Sequence, residues 1–168
     1  LARSCWEKND PEFDAQKPRN FEMIQVKPNW HDSSDLIGYI SRIGADKDGN
    51  GVTYVIGDFL RFIVKAWEEP NIPYFLCLDE MNLAPVEQYF AEYLSVIESR
   101  KSKKGEVITD PIIKKSGEDW FRVLTAILTE NENLRLQFLT EGISIPKNLI
   151  VIGTVNMDET TFSFSRKV

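Results

Sequence analysis

Pro73-Tyr74-Phe75-Leu76-Cys77-Leu78-Asp79-Glu80-Met81-Asn82 carries five consecutive apolar or aromatic residues straight into two acids. The run is too short for a buried helix, and Pro70 and Pro73 bracket its start. It reads as a strand buried on both faces, as in a parallel sheet. Ligands of open α/β sheets bind beyond the carboxyl ends of such strands, where Asp79 and Glu80 stand. Adjacent acids there can divide labour. One can hold a hydrated Mg²⁺, which takes one or two carboxylates plus substrate phosphates. The other can orient or deprotonate an attacking water. The plain alternative is a pair of acids in a solvated strand-to-loop turn.

The 168 residues suffice for one domain with a real core. Hydrophobic residues make up 42% and charged residues 27%, an ordinary globular profile. A formal charge of −6 argues against a chain that is mainly a nucleic-acid-binding surface, though it leaves room for a local basic patch. No apolar stretch approaches membrane-spanning length. Cys5 and Cys77 suggest no disulfide framework, and with one histidine they fall short of the usual Cys/His set of a structural zinc site. A reducing, cytoplasmic setting is expected.

Upstream of the opening stretch, Leu1 to Glu7 reads as the tail of a helix and Asn9 to Asn20 as a loop. Phe21 to Lys27 alternates as a strand ended by Pro28. Trp30 to Tyr39 holds a Ser and Asp cluster suited to capping a short helix. Asp46-Lys47-Asp48-Gly49-Asn50-Gly51 fits the opening of an EF-hand calcium loop. The twelfth position, where a bidentate Glu belongs, is Gly57, and the segment equally suits a tight turn. Phe59, Leu60, Ile63, Val64 and Trp67 have the spacing of an amphipathic helix closed by Pro70.

Downstream, Val86, Tyr89, Phe90, Tyr93, Leu94 and Ile97 predict one helix through about Glu98. Arg100-Lys101-Ser102-Lys103-Lys104-Gly105 is a basic turn, with Val107 to Ile113 as a strand that makes a hairpin plausible. It is either a solvated loop or a lining for a positively charged path. Ser116 to Glu132 has helical spacing. Leu134 to Leu139 alternates like a short strand, with Ile143 to Ile145 as its partner. A second apolar run, Leu149-Ile150-Val151-Ile152, then leads into Gly153-Thr154-Val155-Asn156-Met157-Asp158-Glu159. If this strand neighbours the first in a parallel sheet, Asn156 falls near Asp79 and Glu80. An amide there can hydrogen-bond a γ-phosphate or an attacking water; otherwise it is a turn-forming Asn.

Two buried strands, one ending Asp-Glu and a later one ending in Asn, resemble the AAA+ P-loop nucleoside triphosphatases. The likeness is to the McrB-type branch, the motor subunits of modification-dependent restriction systems. Tyr74 to Ala84 is similar to a Walker B segment, and Gly153 to Asp158 to a sensor-1 strand. Val26 to Trp30 with Ser34 to Tyr39 is similar to the second-strand region. Phe164-Ser165-Arg166-Lys167-Val168 resembles the stretch leading to an arginine finger. The resemblance implies a three-layer α/β core with a mostly parallel sheet, truncated at both ends, and a hairpin and helical insertion around 100–145. Residues 1–168 would be a partial nucleotide-binding domain. Asp79 would hold Mg²⁺, Glu80 would activate water, and Asn156 would act as sensor. Asn82 would support the site or a subunit contact. Asp158 or Glu159 would take the place of an acid that the branch usually sets three residues after its sensor.

No Gly-x-x-x-x-Gly-Lys-Ser/Thr phosphate loop occurs in these residues. The expectation is therefore an internal segment of a longer protein, inactive alone. The full-length form is expected to assemble as a homo-oligomeric ring, hydrolyse GTP or ATP, and work with an McrC-like nuclease on DNA bound through other domains. The alternative is a degenerate assembly module without hydrolysis. A calcium-binding regulatory domain is the third reading, which Gly57 disfavours.

Overall fold

The computed structural model describes residues 1–158 together with 164, 166 and 168. After a 3₁₀ turn at Arg3–Cys5, the order is α1 (Pro11–Asp14), β1 (Phe21–Gln25), α2 (Ser34–Ile37), β2 (Gly38–Ser41), β3 (Thr53–Ile56) and α3 (Asp58–Glu68). There follow β4 (Tyr74–Asp79), a 3₁₀ turn at Met81–Leu83, α4 (Val86–Tyr89), α5 (Ala91–Glu98), β5 (Lys101–Lys103) and β6 (Glu106–Ile108). The chain continues with α6 (Asp119–Leu128), α7 (Glu132–Glu141) and β7 (Leu149–Gly153). The architecture is α/β, with a three-stranded sheet in the order β1-β4-β7 and two separate antiparallel hairpins.

All three sheet strands run parallel. β4 sits in the centre, with Gln25 opposite Asp79 on one side and Leu78 opposite Gly153 on the other. One sheet face is closed. Ile24, Tyr74, Leu76 and Leu78 are buried with Phe59, Leu60, Phe62 and Ile63 of α3 in one core. Phe62 meets Tyr74 with ring centroids 5.3 Å apart. The other face is apolar but open: Met23, Ile150 and Ile152 keep 49%, 42% and 42% of their surface exposed. Among the described residues, no helix is long and apolar enough to cross a membrane.

The local chemistry explains where sequence expectations shift. Residues 134–139 are helix, not strand. The Asn131 side chain accepts from the Leu134 N–H at 3.1 Å, an N-cap that starts α7. Leu134 and Phe138, one helical turn apart, are buried, while Leu136 is 63% exposed. Ile143 instead bridges Ile113, donating to its carbonyl at 2.9 Å. The helix expected over 86–98 breaks at Phe90, whose φ of −103° and ψ of 3° leave the helical region. The strand expected over 107–113 ends at Ile108, and that expected as a helix over 116–132 is shorter, Asp119–Leu128. Leu1 to Glu7 holds only its 3₁₀ turn. The loop expected over 9–20 contains α1, begun by Pro11 and capped by Asp10, which accepts from the Glu12 N–H at 2.9 Å.

The β2–β3 hairpin was legible only at its turn. Asp46 Oδ1 accepts from the backbone of Asp48 and Asn50 at 3.0 and 2.8 Å, and Oδ2 accepts from Asn50 Nδ2 at 2.8 Å. These bonds, the Asn50 side chain first, hold its carboxyl below the ordinary range. The carboxylate closes its own loop, as an Asx turn does. Among the described residues, no three His, Cys, Asp or Glu side chains group to hold a metal, here or elsewhere.

The end of α3 is fixed by Glu69. It takes Arg19 Nε and Nη2, at 3.1 and 2.8 Å, and the Tyr74 hydroxyl. The Arg19 hydrogen bond depresses the Glu69 carboxyl, with burial opposing it. Glu69→Gln is expected to lose about 1 kcal/mol at neutral pH, a partly solvated ion pair being worth little more. The stabilisation is whole above the unfolded carboxyl pKa of about 4.3 and is lost as pH falls through the depressed folded value. Denaturant titrations of both proteins at pH 7 and pH 3 should show the gap closing at acid pH.

Candidate functional site

The site forms where β4 and β7 end together. A central parallel strand delivers its last side chains to the carboxyl edge of the sheet, and here these are Asp79, half-buried, and Glu80, exposed. The parallel ladder continues past the strands: the Thr154 N–H donates to the Leu78 carbonyl at 2.9 Å, and the Met81 N–H to the Thr154 carbonyl at 2.8 Å. Between these two bonds the chain must turn. Glu80 absorbs the turn with φ 51° and ψ 50°, the left-handed region. Glutamate there costs on the order of 1–3 kcal/mol, strain that concentrates at functional sites.

Two side-chain clasps hold the turn. The Thr154 hydroxyl donates to Asp79 Oδ1 at 2.7 Å and accepts from the Glu80 N–H at 2.8 Å. One hydroxyl therefore orients the first acid's carboxylate and the second acid's peptide. Asn82, 1% exposed, pairs with the backbone of Asn156 in both directions. Its Nδ2 donates to the Asn156 carbonyl at 2.6 Å, and its Oδ1 accepts from the Asn156 N–H at 3.0 Å. Beneath the turn, the Tyr89 hydroxyl donates to the Met81 carbonyl at 2.7 Å, and Trp30 packs edge-on against Tyr89 with centroids 5.3 Å apart. Gly153 leaves room for Met81, whose Sδ would stand 2.4 Å from a Cβ added at that position.

Asp79, Glu80, Asn82 and Asn156, separate in sequence, thus meet at one edge. Asn156 enters through its backbone, clasped by Asn82, and is itself exposed; Asp158 lies two residues further on, also exposed. Glu159 lies outside the described residues, as do Ser165 and Lys167 of the stretch likened to an arginine-finger approach. Thr154 escaped sequence reasoning. Its signal is a hydroxyl at the position after the second buried strand, but only the strand register shows that it faces Asp79. Neighbouring Cys77 is held as a thiol by burial and then by the charge of Asp79, so it is no nucleophile.

The donor set suits Mg²⁺ delivered with phosphates. Asp79 keeps one oxygen on Thr154, and among the described residues the other takes no hydrogen bond. Mg²⁺ commonly takes just one or two protein carboxylates and fills its octahedron with water and phosphate oxygens.

No family model matches the chain. Over 139 residues it is 25% identical to the type IV methyl-directed restriction enzyme EcoKMcrB subunit of Escherichia coli strain K12, a span covering 83% of this chain and 24% of that protein. The chain thus spans about a quarter of the length of that curated relative.

Proposed function

We propose that this chain is the catalytic edge of an McrB-type motor that hydrolyses GTP or ATP with Mg²⁺. The observation that carries the reading is the locked edge itself: two acids at the end of the central parallel strand, clasped to the end of its neighbour by Thr154 and by the Asn82–Asn156 pair. The similarity to a restriction-enzyme subunit agrees with it. Bound Mg²⁺ supplies charge neutralisation on the phosphates. The open oxygen of Asp79 would hold that ion, directly or through water, and Thr154 orients the carboxylate. Glu80, solvent-exposed on a rigid turn, accepts the proton of the attacking water as general base. The Asn156 amide contacts the γ-phosphate or that water, and Asp158 responds beside it. Asn82 sets the distance between the two strand ends.

In the full-length protein this edge serves a ring of copies that works with an McrC-like nuclease on DNA held by other domains. The test is hydrolysis of GTP and of ATP by the full-length protein, with Mg²⁺ and with a chelator. Turnover is expected with one or both nucleotides and is expected to fall to background with chelator. A full-length protein that forms rings yet hydrolyses neither nucleotide would replace this reading with that of an assembly module.

A further inference from the structure

Among the described residues, two that are not glycine have positive φ. One is Glu80, at the proposed water-activating position; the other is Lys104, φ 52°, at the tip of the β5–β6 hairpin. Lys104 and Gly105, φ 82°, form the two-residue connection between Lys103 and Glu106. Such a turn favours Asn-Gly or Gly-Gly, because both positions are left-handed. A lysine there forgoes stability, so its charge calls for an explanation.

The hairpin contributes little to the core. All of Lys101 to Val107 is exposed, and an isolated two-stranded ribbon is marginal in water. Its root is anchored: Ser99 Oγ donates to the Val96 carbonyl at 2.6 Å and accepts from the Asp110 N–H at 2.8 Å. Residues 100–115 hold six basic residues and two acids, a local +4 on a chain of −6, leaving −10 elsewhere. Both acids are engaged, Asp110 by Lys101 at 3.9 Å and Glu106 by Lys147 at 3.6 Å. Lys103 and Lys104 make no ion pair among the described residues. Asp110 is thus engaged at the root, and Glu106, opposite Lys103 at the tip, is drawn to Lys147, so the charge of Lys103 and Lys104 is left in excess at the tip.

We infer that the β5–β6 hairpin binds the phosphate backbone of nucleic acid. Lysine is a compact point charge suited to phosphate. The tip offers no Arg, Asn or Gln fork for bidentate base contacts, and its lysines act on phosphate as point charges, so weak sequence preference is expected. It also offers no aromatic or long apolar side chain for a lipid surface, and Val107 is its one large apolar residue. This goes beyond the nucleotide site and stands whether or not that site hydrolyses anything.

The test is fluorescence anisotropy of the full-length protein with a short labelled duplex DNA of mixed sequence, across a salt series and without nucleotide. Each lost phosphate contact lowers the slope of log K against log salt by about 0.9. The double variant Lys103→Ala/Lys104→Gly is therefore expected to lose about 1.8 of that slope and to bind several-fold more weakly at low salt. Lys104→Gly alone is the fold control. It is expected to melt at or above the wild-type temperature, since glycine relieves the left-handed residue, and still to lose about 0.9 of slope. An unchanged slope in both variants overturns the inference. So does wild-type protein that ignores DNA but is retained by phosphatidylserine vesicles.

Discussion

Glu80→Gln is expected to reduce nucleotide turnover by about 10²–10⁴-fold, the usual contribution of a positioned general base. Nucleotide affinity is expected to stay near wild type. The change removes a proton acceptor and keeps size and shape. It leaves intact the Glu80 N–H bond to Thr154, because that bond is made by the backbone. Since the carboxylate is exposed and holds no core contact, the melting temperature should also stay put. The pattern to look for in the full-length protein is kcat lost with KM and thermal unfolding kept. Wild-type turnover in the variant would remove Glu80 from its role. Loss of nucleotide binding with kcat unchanged would make it a binding group instead.

The second large effect is structural. Asn82→Leu keeps the branching of a buried side chain, in a larger volume, but removes both bonds to the Asn156 backbone. A buried polar group stripped of its partner costs about 1–3 kcal/mol. Two such groups are affected, but Asn156 is exposed and water can reach part of the clasp. A net loss of about 2–3 kcal/mol is expected, visible as a shift of the denaturation midpoint with little change in slope. Turnover should fall at least tenfold, because the end of β7 would no longer be held against the acid turn. A variant as stable as wild type would show that the clasp is carried by Thr154 alone.

Much of the frame was legible in the chain. The apolar runs at 74–78 and 149–152 mark parallel strands, and the structure pairs them; the expected burial on both faces is not met, since Ile150 and Ile152 stay 42% exposed on the open face. α3 was readable because its buried residues recur each turn and Pro70 ends it. What failed did so for definable reasons. Leu134, Leu136 and Phe138 alternate, and over six residues an alternating pattern also fits a helix that buries positions one turn apart; the Asn131 cap decided between them. The break at Phe90 has no sequence signal such as proline or glycine. β2 and β3 are only four residues each, too short for a period to stand out beside the strong turn signal at 46–51. Within the site, the acids and Asn156 could be singled out by type and place. The clasps could not, because the partners of Thr154 and Asn82 lie more than seventy residues away and depend on register.

The left-handed backbone of Glu80 has a consequence for anyone redesigning this protein. A stability-driven sequence optimiser would mark position 80 as an error and repair it with glycine or asparagine. The repaired protein would be expected to survive heat and denaturant better, because the left-handed residue would be relieved. It would also have lost the carboxylate proposed to activate water. At this position thermal robustness and chemistry are selected in opposite directions, so screens here should score turnover before they score melting.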